Sequence, residues 1–125
     1  MDLDIVLKQE GKSYKGRALL DTGATGSLIH SDVVKKLGLK TEELAKPRRI
    51  YNADGSMITG GIKSSVTATI DMNISNNRHT FAVSKIGDDQ IILGLDWFKK
   101  VNPIINWKTN EISNQEKTAT TKMKL

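Results

Sequence analysis

Apolar and polar side chains alternate strictly between Val66 and Ser75, and this is the most regular pattern in the sequence. The apolar positions in this stretch are Val66, Ala68, Ile70, Met72 and Ile74. A period of two predicts a β-strand that buries one face and leaves the other in solvent, as in an antiparallel sheet. A polar turn at 76–78 leads to a second strand with Phe81 and Val83, so the chain is expected to be mostly β.

Shorter patterns predict further strands and two short helices. The predicted strands cover 3–7, 14–20, 27–30, 48–52, 57–59, 90–94, 104–107 and 111–112. One helix is predicted over 32–37, with Ser31 as its N-cap and Gly38 just after its end. A second helix is predicted over 95–100, ahead of Pro103, which cannot continue it. The polar stretch 41–47 is expected to be a connection.

The composition is typical of one globular domain, with 125 residues of which 38% are hydrophobic and 26% charged. No apolar run reaches the roughly 18 residues that span a bilayer, and the acidic start lacks the features of a signal peptide. A cytoplasmic location without membrane contact is therefore expected. Cysteine is absent, and His30 and His79 lack metal-ligand spacing, so neither a metal nor another cofactor is expected. Trp97 and Trp107 are expected in the core.

The net charge of +5 calls for a test of nucleic-acid binding. The local basic clusters are Lys35–Lys36, Lys46 with Arg48 and Arg49, and Lys99–Lys100. No aromatic side chains alternate with these cations, as a base-stacking surface requires, so specific nucleic-acid binding is not expected. A phosphate-binding loop is also excluded, because Gly55 and Gly60 have its spacing but Gly61 stands where its lysine must be.

An apolar strand runs directly into a carboxylate at Asp21. An acidic group at the end of a buried strand is costly unless hydrogen bonds or a partner compensate it. Thr22, Gly23, Ala24 and Thr25 follow, and they are too small to block access to the carboxylate. Gly23 permits a tight turn and the close approach of another chain. Taken alone, Asp-Thr-Gly is equally compatible with an ordinary turn between two strands.

The stretch 48–63 predicts a β-hairpin with Asp54-Gly55 at its turn, a residue pair favoured in such turns. Gly60 and Gly61 at its base favour mobility, as in a lid over a binding cleft. An ordinary surface hairpin is the more common alternative. The candidate substrate-binding residues of this hairpin are Asn52, Ala53, Asp54, Gly55, Ser56 and Met57.

The second half of the chain repeats one arrangement of the first. Ile92-Leu93-Gly94 is an apolar strand with a sharp turn before a helix, as at Asp21, but without the carboxylate. The segment 18–25 resembles the active-site signature of aspartic proteases, and its spacing to 92–94 resembles the retropepsin branch. The segments 94–98 and 102–107 are similar to the protease region of gypsy-type LTR retrotransposon polyproteins. The resemblance spans roughly residues 3–112.

This resemblance implies a mostly β, retropepsin-like (acid protease) fold: a closed barrel-like domain with one or two short helices, forming half of a two-fold dimer. Residues 1–112 are therefore predicted to form the domain, and the polar composition of 113–125 predicts a flexible tail. The resemblance implies an aspartic endopeptidase in which each chain of a homodimer supplies one Asp21. The hairpin at 52–57 is then a flap over an extended peptide substrate, a segment of a retroelement polyprotein inside intracellular particles.

The chain departs from the retroviral pattern at Thr25 and Leu95, where retroviral members commonly carry an Asp and an Arg that pair with each other. Both partners are absent together, so no unpaired charge is left and the dimer contacts must differ. The alternative function is a catalytically weak retropepsin-like module for dimerisation or peptide binding. The intact Asp-Thr-Gly at 21–23 favours the peptidase.

Overall fold

The structure is a computed structural model that describes residues 2–114 and 122–124. Within these ranges the chain forms ten strands and two short helices, so the prediction of a mostly β fold is confirmed. The strands are β1 (Asp2–Gln9), β2 (Lys12–Leu20), β3 (Leu28–His30), β4 (Glu42–Tyr51), β5 (Met57–Met72), β6 (Ser75–Ser84), β7 (Ile91–Leu93), β8 (Ile104–Asn106), β9 (Glu111–Ser113) and β10 (Lys122–Lys124). The helices are α1 (Ser31–Leu37) and α2 (Leu95–Val101).

Six of the strands close into a barrel. The strand order in the large sheet is β1-β2-β7-β3-β6-β5-β4, and β1 also pairs with β5. This second pairing joins Val6–Lys8 to Thr69–Asp71 and closes the ring. Among the described strands, β4 lies outside the ring and pairs with β5 alone. The predicted closed barrel is therefore confirmed.

The alternating stretch lies in β5 as far as Met72, and its apolar positions from Val66 to Ile74 are at most 8% exposed. The prediction of the turn at 76–78 was wrong, since the turn falls at 73–74 and residues 76–78 belong to β6. They pack in the main core with Phe81 and Trp97. Burying a large apolar side chain of this kind stabilises the fold by about 1.5–3 kcal/mol. Trp97 is fully buried as predicted, but the prediction for Trp107 was wrong, since its side chain is 64% exposed. Trp107 lies in the turn between β8 and β9, beyond the paired residues that could cover it.

The first helix begins one residue earlier than predicted and has a different cap. Ser31 is its first residue, and His30 caps it by accepting a hydrogen bond from the Asp32 N–H on Nδ1 at 2.9 Å. A histidine nitrogen satisfies an orphan N–H as well as the expected hydroxyl does. Gly38 ends the helix in the left-handed conformation, with φ 61°, as predicted. Neither helix of the described ranges has the length and apolar character needed to cross a membrane.

The second, smaller sheet has the order β10-β9-β8. Ser113 is the last residue of β9 and pairs with Lys122 of β10, and Met123 packs against the main core. These parts of the predicted flexible tail are therefore strand residues. Residues 115–121 and 125 of that tail lie outside the described residues, and the domain boundary at 112 stays a prediction.

Candidate active site

The parallel strands β2 and β7 bring the two strand–turn–helix units together at one edge of the barrel. Leu20 pairs with Leu93, and the N–H of the next residue, Asp21, donates to the Leu93 carbonyl at 3.0 Å. The chain leaves β2 at this point and forms a loop, residues 21–27, which we call the Asp21 loop. The Asp21 side chain in this loop is half-buried at the barrel edge.

One oxygen of the Asp21 carboxylate is fixed by the loop itself. Oδ1 accepts a hydrogen bond from the Gly23 N–H at 2.9 Å, and the Asp21 carbonyl accepts one from the Ala24 N–H at 3.1 Å. A β-carbon on Gly23 would lie 3.1 Å from Oδ1, so glycine keeps this carboxylate uncrowded. Within the described ranges Oδ2 has no hydrogen-bond partner, which leaves it open to a water or to another molecule.

The turn at Gly94 supports the Asp21 loop from behind. The Leu95 N–H donates to the Ala24 carbonyl at 2.7 Å. A β-carbon on Gly94 would overlap the Gly26 carbonyl and would lie 2.8 Å from the Ala24 carbonyl oxygen. The φ of Gly94 is −93°, so glycine is required here by the close approach of two backbones and not by its own conformation.

A buried polar cluster ties the end of the Asp21 loop to α2. The Ser27 hydroxyl, fully buried, donates to Asp96 Oδ1 at 2.6 Å. The same hydroxyl oxygen accepts the Gly94 N–H at 3.1 Å and lies 2.9 Å from His79 Nε2. Because the only proton of Ser27 goes to the carboxylate, His79 must be the donor in the last contact, with its proton on Nε2.

Asp96 is held in its ionised form. Burial alone raises the pKa of this carboxyl, but hydrogen bonds from His79 and Ser27, the charge of His79 and the Trp97 N–H outweigh burial and lower its pKa to about 2. His79 Nε2 also lies 3.4 Å from Asp96 Oδ2. The carboxylate of Asp96 therefore serves as a structural hydrogen-bond acceptor beneath the Asp21 loop.

The hairpin of β4 and β5 carries the predicted flap residues at its tip. The Asn52 N–H donates to the Ser56 carbonyl at 2.7 Å, and Gly55 takes a left-handed conformation with φ 88°. Asp54 Oδ1 accepts the N–H and hydroxyl of Ser56 at 2.8 and 2.6 Å. These hydrogen bonds lower the pKa of the exposed Asp54 carboxyl. The tip is thus a tightly bonded turn, while Met57 beside it is 56% exposed.

The strands of this hairpin differ from those predicted. The stretch expected to be a connection is part of β4, which begins at Glu42. The expected short strand at 57–59 continues through Gly60 and Gly61 as the 16-residue β5. The glycines do not end the strand, but Gly61 has a positive φ of 64° and the β4–β5 register shifts at three places.

The end of β4 next to the hairpin tip is bonded to the Asp21 loop. The Thr25 N–H donates to the Tyr51 carbonyl at 2.9 Å, and the Tyr51 N–H donates to Thr25 Oγ1 at 3.1 Å. Beside this contact, Ile50 is fully buried in a second, smaller apolar cluster between hairpin and barrel. The other buried members of that cluster are Ala24, Leu28, Ile62, Ala82 and Ile92.

The structure thus places Asp21 to Thr25 in one loop and 52–57 at one hairpin tip, as predicted, and joins the two through Thr25. Sequence reasoning missed Ser27 and Asp96 and treated His79 as an ordinary surface or strand residue. His79 does lie in a strand, β6, but it is only 6% exposed. The sequence shows these three residues only as single polar side chains on three separate segments.

A large cavity among the described residues lies away from Asp21. Its volume is about 650 Å³, and it is lined by residues of β1 and β2, by residues 71–73 at the end of β5 and by Met123. None of the residues of the Asp21 loop or of the hairpin tip lines it. One chain by itself therefore presents Asp21 at an open edge.

The closed barrel and the Asp-Thr-Gly loop backed by a Gly-containing turn define the class of retropepsin-like protease domains. A family model, described as the PEG10/RTL1 protease domain, matches residues 17–122, and the chain belongs to this family. The match continues past the predicted domain boundary at residue 112. The finer resemblance to gypsy-type proteases stays a prediction.

A solved structure supports the same fold. The chain is similar to the retroviral protease-like domain of Ddi1 from Leishmania major, with a TM-score of 0.62 and 14% sequence identity. The similarity covers 91% of this chain and 83% of the Ddi1 domain chain. At this low identity the likeness shows the architecture, and the chemistry must be argued from the site.

Proposed function

We propose that this domain is an aspartic endopeptidase that works as a homodimer, with one Asp21 from each chain. The observation that carries the proposal is the state of that carboxylate. Its Oδ1 is fixed by the Gly23 N–H, and its Oδ2 has no partner within the described ranges. The equivalent turn of the second half carries Gly94 and no acid, so a second chain must supply the second carboxylate.

Two such carboxylates provide the required chemistry. Acids held about 3 Å apart cannot both ionise easily, so the pair shares one proton, as in aspartic proteases generally. The ionised Asp21 is the general base that activates a water, and the protonated one polarises the scissile carbonyl. No covalent intermediate forms on the protein. Thr22, which is exposed beside Asp21, braces the two loops across the dimer axis.

The substrate is an extended peptide segment of a retroelement polyprotein. Such a segment binds as a strand, through main-chain hydrogen bonds and pockets for alternate side chains. Gly23 takes part in main-chain hydrogen bonding with the peptide, and the hairpin tip at 52–57 closes over it. An intracellular location within retroelement particles is part of this proposal.

The decisive experiment is peptide cleavage by the wild-type chain and by Asp21→Asn, each incubated with a proteome-derived peptide library and analysed by mass spectrometry. We expect cleavage that is strongest on the acidic side of neutral, because one carboxyl of the pair must stay protonated. Statine-like hydroxyl isosteres should inhibit it, because they mimic the hydrated carbonyl. Sedimentation with such an inhibitor should show a dimer. Equal cleavage by Asp21→Asn would refute the proposal.

The second candidate function, a peptide-binding or dimerisation module with weak catalysis, is favoured by one contact. The Thr25 N–H donates to the Tyr51 carbonyl and the Tyr51 N–H donates to the Thr25 hydroxyl oxygen, so these main-chain groups are engaged before a peptide arrives. A dimer that binds peptides without cutting any of them, at any pH between about 4 and 8, would support this alternative.

A further inference from the structure

Two neighbouring arginines on β4 lie on opposite faces of the hairpin. A β-carbon built on Gly26 would lie 2.9 Å from Arg48 Nη2 and 3.0 Å from Ile50 Cδ1. The face of β4 that carries Arg48 and Ile50 is therefore turned toward the Asp21 loop. A β-carbon built on Gly60 would instead lie 3.6 Å from Arg49 Cγ, so Arg49 leans along the opposite face.

The Arg48 guanidinium lies over the Asp21 loop without a counter-charge. No carboxylate of the described residues comes within ion-pair distance of it, and its side chain is exposed. The Asp21 loop beneath it has one acidic residue, Asp21, whose carboxylate is not within ion-pair distance of the guanidinium. The absence of a side chain on Gly26 leaves the space that the Arg48 guanidinium occupies above the loop, because a β-carbon there would lie 2.9 Å from Nη2.

We infer that Arg48 is a specificity-determining residue that binds an Asp or Glu side chain of the peptide substrate. This inference rests on the proposed function, which places an extended peptide between the Asp21 loop and the hairpin. Alternate side chains of an extended peptide point to opposite sides, so one of them faces β4. The planar guanidinium matches a carboxylate with two parallel hydrogen bonds. The net charge of +5 also attracts an acidic peptide from a distance.

The test uses peptide binding in an Asp21→Asn background, so that binding does not depend on cleavage. Fluorescent decapeptide libraries carry Glu, Gln or Lys at one defined position and equal residue mixtures elsewhere. We expect one position at which Glu binds about threefold to tenfold better than Gln, the range of a partly exposed ion pair with good geometry. Adding Arg48→Gln should abolish this preference, and Arg48→Glu should turn it into a preference for Lys.

Arg49→Gln is the matched control, because it removes the same charge from the adjacent residue on the opposite face. The Glu preference should persist in it. The inference is overturned if the Glu preference survives Arg48→Gln or falls equally in Arg49→Gln. It is also overturned if no position shows a Glu preference or if no library binds. Cleavage by the wild-type chain is measured separately. Charge-selective binding without cleavage refutes the peptidase but retains the role of Arg48. Cleavage without a charge preference supports the peptidase but refutes the role of Arg48.

Discussion

The two strand–turn–helix units meet at the same barrel edge, yet they use their carboxylates in opposite ways. Asp21, directly after β2, makes a single hydrogen bond through its side chain and leaves Oδ2 open within the described ranges. Asp96, in the first turn of α2, accepts hydrogen bonds from Ser27 and Trp97 and contacts His79, and its pKa is lowered to about 2. The first unit leaves its carboxylate open, and the second uses its carboxylate to hold the Asp21 loop in place.

The largest expected effect separates the two acids by activity. Asp21→Asn should lower peptide cleavage by about 10³-fold or more, because general acid–base catalysis is lost, while the free energy of unfolding changes by less than about 0.5 kcal/mol. Cleavage is measured with a fluorogenic peptide and stability by urea unfolding. Asp96→Asn is the matched control. If it loses activity to the same extent while remaining equally stable, the two acids do not have separate roles.

The next effect tests the Gly94 turn as the support of the loop. Gly94→Ala should cost about 3 kcal/mol or more, because its β-carbon overlaps the Gly26 carbonyl and neither backbone can move without breaking the Leu95–Ala24 hydrogen bond. Urea unfolding measures the loss.

Gly60→Ala is the control for this substitution, since the only atom within 3.0 Å of its β-carbon is the flexible Met57 Sδ, at 2.9 Å. It should cost less than about 1 kcal/mol. A similar cost for both substitutions would mean that the turn is not specially constrained.

A smaller effect follows from the pKa of Asp96. Its value of about 2 lies below the usual 3.8, so the unfolded chain takes up the proton more readily than the folded one. Ionised Asp96 therefore stabilises the fold by about 1–2 kcal/mol, after allowance for a side chain that is 32% exposed. This stabilisation is complete above pH 4–5 and is lost as the pH falls through about 2.

Urea unfolding between pH 6 and pH 2 measures this dependence, and Asp96→Asn should remove that part of the slope. An unchanged slope in Asp96→Asn would contradict the assignment of the lowered pKa to this residue.

The smallest effect concerns the contact between hairpin and loop. Thr25→Val removes the acceptor of the Tyr51 N–H and should cost less than about 1 kcal/mol. Hydrogen exchange of the Tyr51 amide should become faster, with the amides of β6 as an internal reference. Exchange that stays as slow as in the wild type would show that the contact does not hold the hairpin down.

The sequence predicted those parts of the fold whose pattern is local. The alternation from Val66 to Ile74 predicted β5, and the Asp54-Gly55 pair predicted the hairpin turn. The early part of β4 escaped prediction because most of its residues are exposed on both faces, so no alternation marks it. The cap of α1 was missed because His30 replaces the expected hydroxyl with a ring nitrogen.

The candidate site was predictable where its residues adjoin in sequence. Asp21 to Thr25 form one continuous motif, whereas Ser27 is 52 residues from His79 and 69 from Asp96. The pairing of β3 with both β6 and β7 brings these segments together. A polar cluster assembled by topology leaves no periodic signal in a single sequence.

Most enzymes must balance stability against the mobility of the segments that admit substrate. The attachment of β4 to a single neighbour separates these two properties. The ring of six strands closes without β4, so lifting β4 and the hairpin tip leaves every strand of that ring with both of its neighbours. In the proposed peptidase, heat resistance and the rate of substrate entry are therefore set by different bonds. Directed evolution could raise the melting temperature by repacking the barrel interior and leave turnover speed untouched.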